Sequence, residues 1–166
     1  MNICFFHGIE SDGPGRKGGH LAELGWSLYA PTIDYRHPSS VRGAWTEALA
    51  KPRDAFVGSS MGGWMATLLA TQTDTPAWLV NPAVIGRTIE PEFPEGMGLH
   101  RPKVHVLLGR QDDLINPIEA KKWLEHHGFQ VTVRWVDEGH RIEPAAFKAW
   151  IEEIGGEARE KHDDLL

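Results

Sequence analysis

A short apolar run at residues 55–57 leads into Gly58-Ser59-Ser60-Met61-Gly62-Gly63. The residues that follow, 64–70, have the composition of a helix. The hexapeptide therefore places Gly-x-Ser-x-Gly between a predicted strand and a predicted helix, with Ser60 at its centre. A sharp strand-to-helix turn crowds the backbone near the serine, so the positions two before and two after it need glycine. We expect the Ser60 hydroxyl to stand above the carboxyl end of a sheet.

Short apolar runs alternate with longer helical stretches on both sides of this turn, which is the pattern of βα units that build a parallel sheet. The predicted strands are residues 2–6, 27–30, 55–57, 77–80, 104–108 and 130–136. The predicted helices are residues 18–24, 40–50, 61–71, 117–127 and 144–154. The nearly continuous apolar run at 104–108 suits a central strand, whereas the alternation at 130–136 suits an edge strand that faces water on one side.

Residues 81–102 are the least regular part of the sequence, with four prolines and three glycines at positions 82, 91, 94, 102, 86, 96 and 98. This composition favours a loop or lid-like excursion over regular structure. No internal repeat or domain linker is evident. We assign residues 1–154 to a single domain and residues 155–166 to a polar C-terminal tail that frays.

Composition excludes several classes of protein. The chain has 166 residues, close to the size of one domain, and its 17 basic and 23 acidic side chains give a net charge of −6. This balance argues against nucleic acid or an anionic membrane as the main partner. Cys4 is the only cysteine, the first residues lack the charged start of a signal peptide, and no apolar stretch approaches the roughly 20 residues that cross a bilayer. We expect a cytoplasmic protein, either a monomer or a homodimer.

Ser60 needs partners to act as a nucleophile, because a free serine hydroxyl is inert near neutral pH without a histidine base that a carboxylate orients. The chain supplies candidates in the order Ser60, Asp112 or Asp113, and His140. The two aspartates follow the fifth predicted strand, and His140 follows the sixth in a glycine-containing loop. All of them therefore come just past the carboxyl ends of parallel strands, the edge at which open α/β sheets place their sites.

Two of these roles have competing interpretations. Acidic residues before a helix commonly serve as caps, which is the competing interpretation for both aspartates. As the orienting carboxylate we favour Asp112 over Asp113, because Asp112 lies three residues after Gly109 in a Gly-x-x-Asp turn. Asp113 is then expected to face solvent or to stabilise the turn. For any one of the nine histidines, a solvated or packed side chain is the ordinary interpretation. His140 alone follows the last strand in a glycine-containing loop, so we predict the base there.

The chemistry also needs N–H donors for an oxyanion. We predict the backbone N–H groups of Met61, directly after the serine, and of Ile9, in the loop after the first strand. His7 is interpreted as a structural hydrogen-bonding group. The glycine-rich, basic segment at residues 13–19 is interpreted as a flexible rim whose Arg16 and Lys17 are solvated, with contact to an anionic substrate group as the alternative.

Neither a metal nor a cofactor is predicted. The sequence has no cysteine pair and no His-Glu-x-x-His, and the adjacent pair His126 and His127 would diverge on a helix. The glycine-rich segment at residues 13–19 lacks both the Gly-Lys-Ser/Thr ending of a phosphate-binding loop and the spacing of a dinucleotide fingerprint.

Several segments together resemble the α/β-hydrolase superfamily, and within it the small bacterial YqiA/YcfP-like esterases. They are His7 to Gly15, Tyr35-Arg36-His37-Pro38, the Gly58 to Gly63 turn, Asn81-Pro82, the Asp112 turn and the Gly139-His140 loop. The first two are the most specific to the group, whereas the serine, aspartate and histidine turns are shared across the superfamily. The resemblance implies that Ser60, Asp112 and His140 are nucleophile, orienting carboxylate and base.

We therefore expect a three-layer α/β/α hydrolase fold with a minimal six-stranded parallel sheet in the order 2-1-3-4-5-6, right-handed crossovers and no substantial cap domain. The predicted function is that of a serine esterase, which cleaves a carboxylic ester of a small or short-chain acyl group through an acyl-enzyme on Ser60. A thioesterase or small amidase would use the same residues, and a non-catalytic binding module of this fold is a further alternative. The expected partner is a small-molecule ester.

Overall fold

Six strands form one sheet in residues 1–164, the part of the chain that the computed structural model describes. They are β1 (Asn2–Phe6), β2 (Ser27–Tyr29), β3 (Ala55–Ser59), β4 (Ala77–Val80), β5 (Lys103–Gly109) and β6 (Gln130–Val136). Their order in space is β2-β1-β3-β4-β5-β6, and every neighbouring pair is parallel. The predicted sheet is confirmed in strand number, direction and order.

Helices cover both faces of the sheet, and each face has its own apolar core. Helices α1 (Gly15–Glu23) and α5 (Pro144–Asp163) lie on one face, where Leu21 and Phe147 pack with Val57. The other face of the sheet is covered by helices α2 (Pro38–Leu49), α3 (Met61–Thr73) and α4 (Pro117–His126). Leu69 and Leu124 belong to the apolar core on that face. The predicted three-layer α/β/α arrangement is confirmed.

The burial of the strands follows their places in the sheet. β5 is buried from Val104 to Gly109, as a strand covered on both faces should be. β6 alternates exposed and half-buried residues, which confirms it as an edge strand. Apart from the start of α1 and the end of α5, the predicted bounds differ from the observed ones by at most two residues.

Helix α1 begins at Gly15, three residues before the predicted start, so the prediction of a flexible segment at residues 13–19 is wrong. Glycines disfavour helix by about 1 kcal/mol each relative to alanine, and the sequence therefore indicated a later start. Packing overrides this preference, because Gly18 and Leu21 lie on one buried side of the helix. As a result Arg16 and Lys17 are held on the first helical turn.

Helix α5 continues to Asp163, so the predicted helix end at residue 154 is wrong. The pair Gly155-Gly156 suggested a stop, yet Gly155 is buried against the Trp26 ring, and a Cβ there would come within 2.6 Å of two ring carbons. The Arg159 guanidinium also lies over that ring, 5.7 Å from its centroid. The closing residues of the predicted tail, 165 and 166, lie outside the described residues.

The excursion between β4 and β5 contains no helix or strand, as predicted. Much of it packs beside α2 and α3: Phe93 contacts the Trp45 ring, with centroids 5.9 Å apart, and the Gly98 N–H donates to Thr71 Oγ1 at 2.8 Å. Its first part, residues 81–88, lies at the sheet edge where Ser60 lies. No helix among residues 1–164 is long and apolar enough to cross a membrane.

Candidate active site

Ser60 lies at the turn between β3 and α3 with φ 54° and ψ −116°, a backbone conformation that side-chain-bearing residues rarely adopt. Hydrogen bonds hold this turn on both sides. The Ser60 N–H donates to the Val80 carbonyl oxygen at 3.0 Å, and the Ser60 carbonyl oxygen accepts from the N–H groups of Gly63 and Ala83, each at 2.9 Å. The surrounding structure therefore fixes the serine in a strained position at the sheet edge.

The glycines on either side of Ser60 are required by close backbone contacts. A Cβ on Gly62 would overlap the carbonyl oxygen of Phe6 at the end of β1, and a Cβ on Gly58 would overlap the carbonyl oxygen of Gly62. Both neighbours are backbone atoms of packed elements and have no room to retreat. The spacing of the motif thus follows from the tight packing of the turn against the sheet.

Replacing Gly62 with alanine should destabilise the protein by about 3 kcal/mol or more, because an added methyl group collides with backbone on β1. Gly43→Ala is the matched control, since Gly43 lies on α2 with open space around it and should gain helix stability of roughly 0.5–1 kcal/mol. Urea unfolding monitored by circular dichroism measures both. A Gly62→Ala variant as stable as the native protein would contradict the packing described here.

Three side chains from separate turns form one hydrogen-bonded chain. The Ser60 Oγ lies 3.0 Å from His140 Nε2, and His140 Nδ1 lies 2.8 Å from Asp112 Oδ2. With a carboxylate facing it, Nδ1 carries the proton, which leaves Nε2 free to accept from the serine hydroxyl. The sheet brings these groups together because β3, β5 and β6 all end at the same edge.

Asp112, rather than Asp113, is the aspartate that contacts His140. Its side chain is fully buried, and its second oxygen, Oδ1, accepts from the N–H groups of Leu114 and Ile115, both at 2.9 Å. Asp113 is exposed to solvent. The Asp112 carboxylate is therefore held by three donors, one of which is the histidine ring.

Asn81, directly after β4, ties the histidine loop to the sheet. It is buried and has φ 39°. Its Oδ1 accepts from the Gly109 N–H at 2.9 Å, and its Nδ2 donates to the carbonyl oxygens of Gly139 and His140 at 3.2 and 2.8 Å. From the sequence, Asn81 was predicted only as part of the resemblance to the hydrolase superfamily. Its place directly after a predicted strand, at the same sheet edge as Ser60, could have indicated that it belongs to the site.

Asn81→Ala should lower the stability by about 2 kcal/mol or more, since it leaves a buried N–H and two carbonyls unpaired. It should also slow any reaction that needs His140 by roughly tenfold, because the loop carrying the base loses two hydrogen bonds to the sheet. Asn2→Ala is the control, as Asn2 makes its side-chain bonds to Pro52 and Arg53 at the start of β1. Urea unfolding and the rate of Ser60 modification by a fluorophosphonate measure the two effects; unchanged values for Asn81→Ala would refute this role.

The two predicted oxyanion donors come from adjacent loops of the same edge. Within residues 1–164, the backbone N–H groups of Ile9 and Met61 donate to no acceptor in the protein. The two loops lie close together, since a Cβ on Gly8 would lie in van der Waals contact with Ser60 Cβ, at 3.4 Å. Met61 is the first residue of α3, whose N-terminus carries partial positive charge.

His7 braces the loop that carries Ile9. Its Nδ1–H donates to the Gly8 carbonyl oxygen at 2.5 Å, and its Nε2 accepts from the Ile33 N–H at 2.8 Å. The Tyr35 hydroxyl donates to the His7 carbonyl oxygen at 2.6 Å. Both ring nitrogens are thus engaged with backbone, which confirms the structural role predicted for His7.

A cavity of about 650 Å³ surrounds the Ser60 hydroxyl, a size that suits a small organic ligand. Its apolar lining includes Ile9, Ala83 and Leu114, and its polar lining includes His140 and several charged side chains. Cys4 contributes nothing here, because it is buried in β1 and burial raises the pKa of its thiol to about 12. Among the described residues, no group of three or more His, Cys, Asp or Glu is placed to hold a metal ion.

Comparisons with known proteins bear on the fold. No family model and no curated protein matches the sequence. Among solved structures, an inferred hydrolase of the α/β superfamily from Xanthomonas campestris pv. campestris has a TM-score of 0.71 at 21% identity, over 95% of this chain and 99% of that one. The chain has the α/β-hydrolase fold. The resemblance drawn from the sequence is confirmed at this level, and the narrower YqiA/YcfP-like assignment stays a prediction.

Two further solved structures share this fold, and one of them is named as a carboxylesterase. Est1E from Butyrivibrio proteoclasticus has a TM-score of 0.69 at 16% identity, over 96% of this chain and 89% of that one. The Bacillus cereus carboxylesterase has a TM-score of 0.62 at 16% identity, over 92% of this chain and 87% of that one. At these identities the similarity establishes the shared hydrolase fold.

Proposed function

We propose that this protein is a serine esterase that hydrolyses carboxylic esters of small or short-chain acyl groups. The observation that carries the proposal is the continuous hydrogen-bonded chain from Ser60 through His140 to Asp112 at the wall of a ligand-sized cavity. A carboxylesterase among the proteins of the same fold adds support. The cytoplasmic location inferred from the sequence belongs to the same proposal.

The reaction begins with attack of the Ser60 hydroxyl oxygen on the ester carbonyl carbon, while His140 Nε2 takes the hydroxyl proton. The carbonyl oxygen becomes an oxyanion that accepts hydrogen bonds from the N–H groups of Ile9 and Met61. Asp112 keeps the proton on Nδ1 before the attack and stabilises the positive ring after it. No metal or cofactor is needed for this step.

The tetrahedral intermediate then collapses. The bond from the acyl carbon to the alkoxy oxygen breaks, His140 returns the proton to that oxygen, and an alcohol leaves with the acyl group bonded to Ser60. A water molecule next attacks the acyl-enzyme as His140 accepts its proton. Collapse of the second intermediate returns the proton to Ser60 and releases the carboxylic acid. Atoms and protons therefore balance to ester plus water giving acid plus alcohol.

The walls of the cavity support the proposed preference for short acyl groups. The 81–102 excursion contributes residues 83 and 86–88 to the lining, whereas Phe93 and Gly98 in its later part contact α2 and α3, so few of its residues stand beside Ser60 to cover a long acyl chain. Nitrophenyl esters of acetate, butyrate, octanoate and palmitate should show kcat/KM values that are largest for the short chains. A thioester with the same acyl group, measured alongside each ester, shows which of the two has the larger kcat/KM. A maximum at palmitate would contradict the short-chain assignment.

A further inference from the structure

The cavity wall carries a positive charge that the whole protein does not have. The full chain has a net charge of −6. The charged side chains that line the cavity include two carboxylates, Glu10 and Asp12, and five cations, which are Arg16, Lys17, Arg36, Arg87 and Arg141. An excess of cations in a concave site of an acidic protein favours an anionic ligand there, because such a cleft concentrates the field of its lining charges.

Three of these cations form a group near the base, defined by Arg16, Lys17 and Arg141. Arg16 and Lys17 lie on the first turn of α1, and Arg141 directly follows His140. Burial and the charges of Arg16 and Arg141 all lower the pKa of Lys17, which indicates that the three charges act on one another. The Lys17 ammonium lies 5.8 Å above the centroid of the Phe147 ring.

Within residues 1–164, none of the three cations has a carboxylate partner within 4.0 Å, and the first turn of α1 contains no acidic residue. Arg87, by contrast, is paired with Glu90. Three neighbouring cations without a counter-charge repel one another, and a bound carboxylate or phosphate relieves this repulsion through charge-assisted hydrogen bonds. The group therefore has the chemistry of an anion subsite.

The rest of the cavity offers a different surface. Ala83 and Ile115 belong to the apolar cluster on the α2, α3 and α4 face of the sheet, whereas Phe147 below Lys17 belongs to the cluster on the α1 and α5 face. A ligand at Ser60 therefore meets both the cations Arg16, Lys17 and Arg141 and apolar side chains such as Ala83 and Ile115. This arrangement fits a molecule with one charged and one apolar part.

We infer that the substrate is an anionic ester, a small molecule whose carboxylate or phosphate group binds Arg16, Lys17 and Arg141 while its ester carbonyl lies at Ser60. The inference rests on the proposed esterase function and names its substrate class. The charged group can belong to the acyl part or to the alcohol part of the ester. Matched substrates distinguish these sources.

The test compares kcat/KM for anionic esters with that for neutral esters in which a methyl group replaces the anion, each rate corrected for the uncatalysed reaction. Nitrophenyl hydrogen glutarate against nitrophenyl pentanoate places the anion on the acyl side. 4-(Acetoxymethyl)benzoate and 4-(acetoxymethyl)phenyl phosphate, each against 4-methylbenzyl acetate, place a carboxylate or a phosphate on the alcohol side. We expect at least one anionic ester to exceed its neutral partner by about tenfold or more, with a preference that falls as salt is added. Equal rates for every anionic ester and its neutral partner would overturn the inference.

Variants locate the subsite. Lys17→Gln and Arg141→Gln should each reduce kcat/KM for the preferred anionic ester about tenfold and change the neutral partner less than twofold. Lys148→Gln is the matched control, because Lys148 is exposed on α5 and does not line the cavity. Equal losses on charged and neutral esters in Lys17→Gln and Arg141→Gln would show a general structural effect and overturn the assignment.

Calorimetric binding of the same anionic esters to Ser60→Ala separates this inference from the esterase proposal. Saturable binding that Lys17→Gln weakens about tenfold, with no hydrolysis by the native protein, would keep the anion subsite and reject the esterase. Hydrolysis without charge preference would keep the esterase and reject the subsite. Absence of both binding and charge preference would reject the subsite outright.

Discussion

Replacing Ser60 with alanine should lower the rate of ester hydrolysis on the order of a million-fold, because no oxygen would remain to form the proposed acyl-enzyme. What survives is binding in the cavity and the two N–H donors of Ile9 and Met61, which alone are expected to leave a rate roughly 10³–10⁴-fold above the uncatalysed reaction. His140 keeps its bond to Asp112 and stays in place without the serine hydroxyl. Initial rates with a nitrophenyl short-chain ester, corrected for the uncatalysed reaction, measure the loss.

The control for this variant addresses folding. Ser60 has φ 54°, so alanine there keeps the backbone strain, whereas glycine tolerates positive φ. Ser60→Gly should therefore be as inactive as Ser60→Ala while both retain the circular dichroism spectrum of the native protein. Substantial hydrolysis by either folded variant would mean that another group is the nucleophile.

Asp112→Asn should reduce kcat about ten-thousand-fold. The amide of asparagine presents N–H to His140 Nδ1, which favours the ring tautomer with its proton on Nε2, and that nitrogen can then no longer accept from Ser60. The Leu114 and Ile115 N–H groups can still donate to the amide oxygen, so the turn is expected to persist. Steady-state kinetics on the same ester measure the effect.

Asp113→Asn is the matched comparison, since it makes the same chemical change one residue away on an exposed side chain. It should change kcat less than twofold. Losses of equal size in the two variants, or a larger loss in Asp113→Asn, would remove Asp112 from the mechanism. Melting temperatures of both variants ensure that the comparison concerns folded protein.

Much of the site could be predicted from the sequence because its parts are local. The Gly58 to Gly63 turn follows from backbone crowding within a few residues, and the glycine-marked turns at Asp112 and His140 come directly after apolar strands. Parallel strands then bring these turns to one edge without further information. The choice of Asp112 over Asp113 also rested on local turn spacing, and the structure places Asp112 against His140.

What the sequence did not reveal depends on contacts between distant segments. The early start of α1 and the late end of α5 are stabilised by packing against β1 and Trp26, which overrides the low helix propensity of Gly18, Gly19, Gly155 and Gly156. The role of Asn81 depends on how the fold places the end of β4 beside Gly109, at the end of β5, and beside the loop that follows β6. The charges of Arg16, Lys17 and Arg141 belong to two turns far apart in the chain, and only the fold places them in one cavity.

The role of Ser60 as nucleophile is tested most directly by labelling with a fluorophosphonate, whose rate and site of attachment are both measured. Tandem mass spectrometry of the tryptic peptide 54–87 locates the adduct, because this peptide contains both Ser59 and Ser60. We predict one adduct per folded protein, on Ser60. The adduct should form much more slowly in Asp112→Asn and should be absent from Ser60→Ala and from protein that was unfolded before labelling. An adduct on another residue, or labelling of Ser60→Ala at the native rate, would show that Ser60 is not the nucleophile.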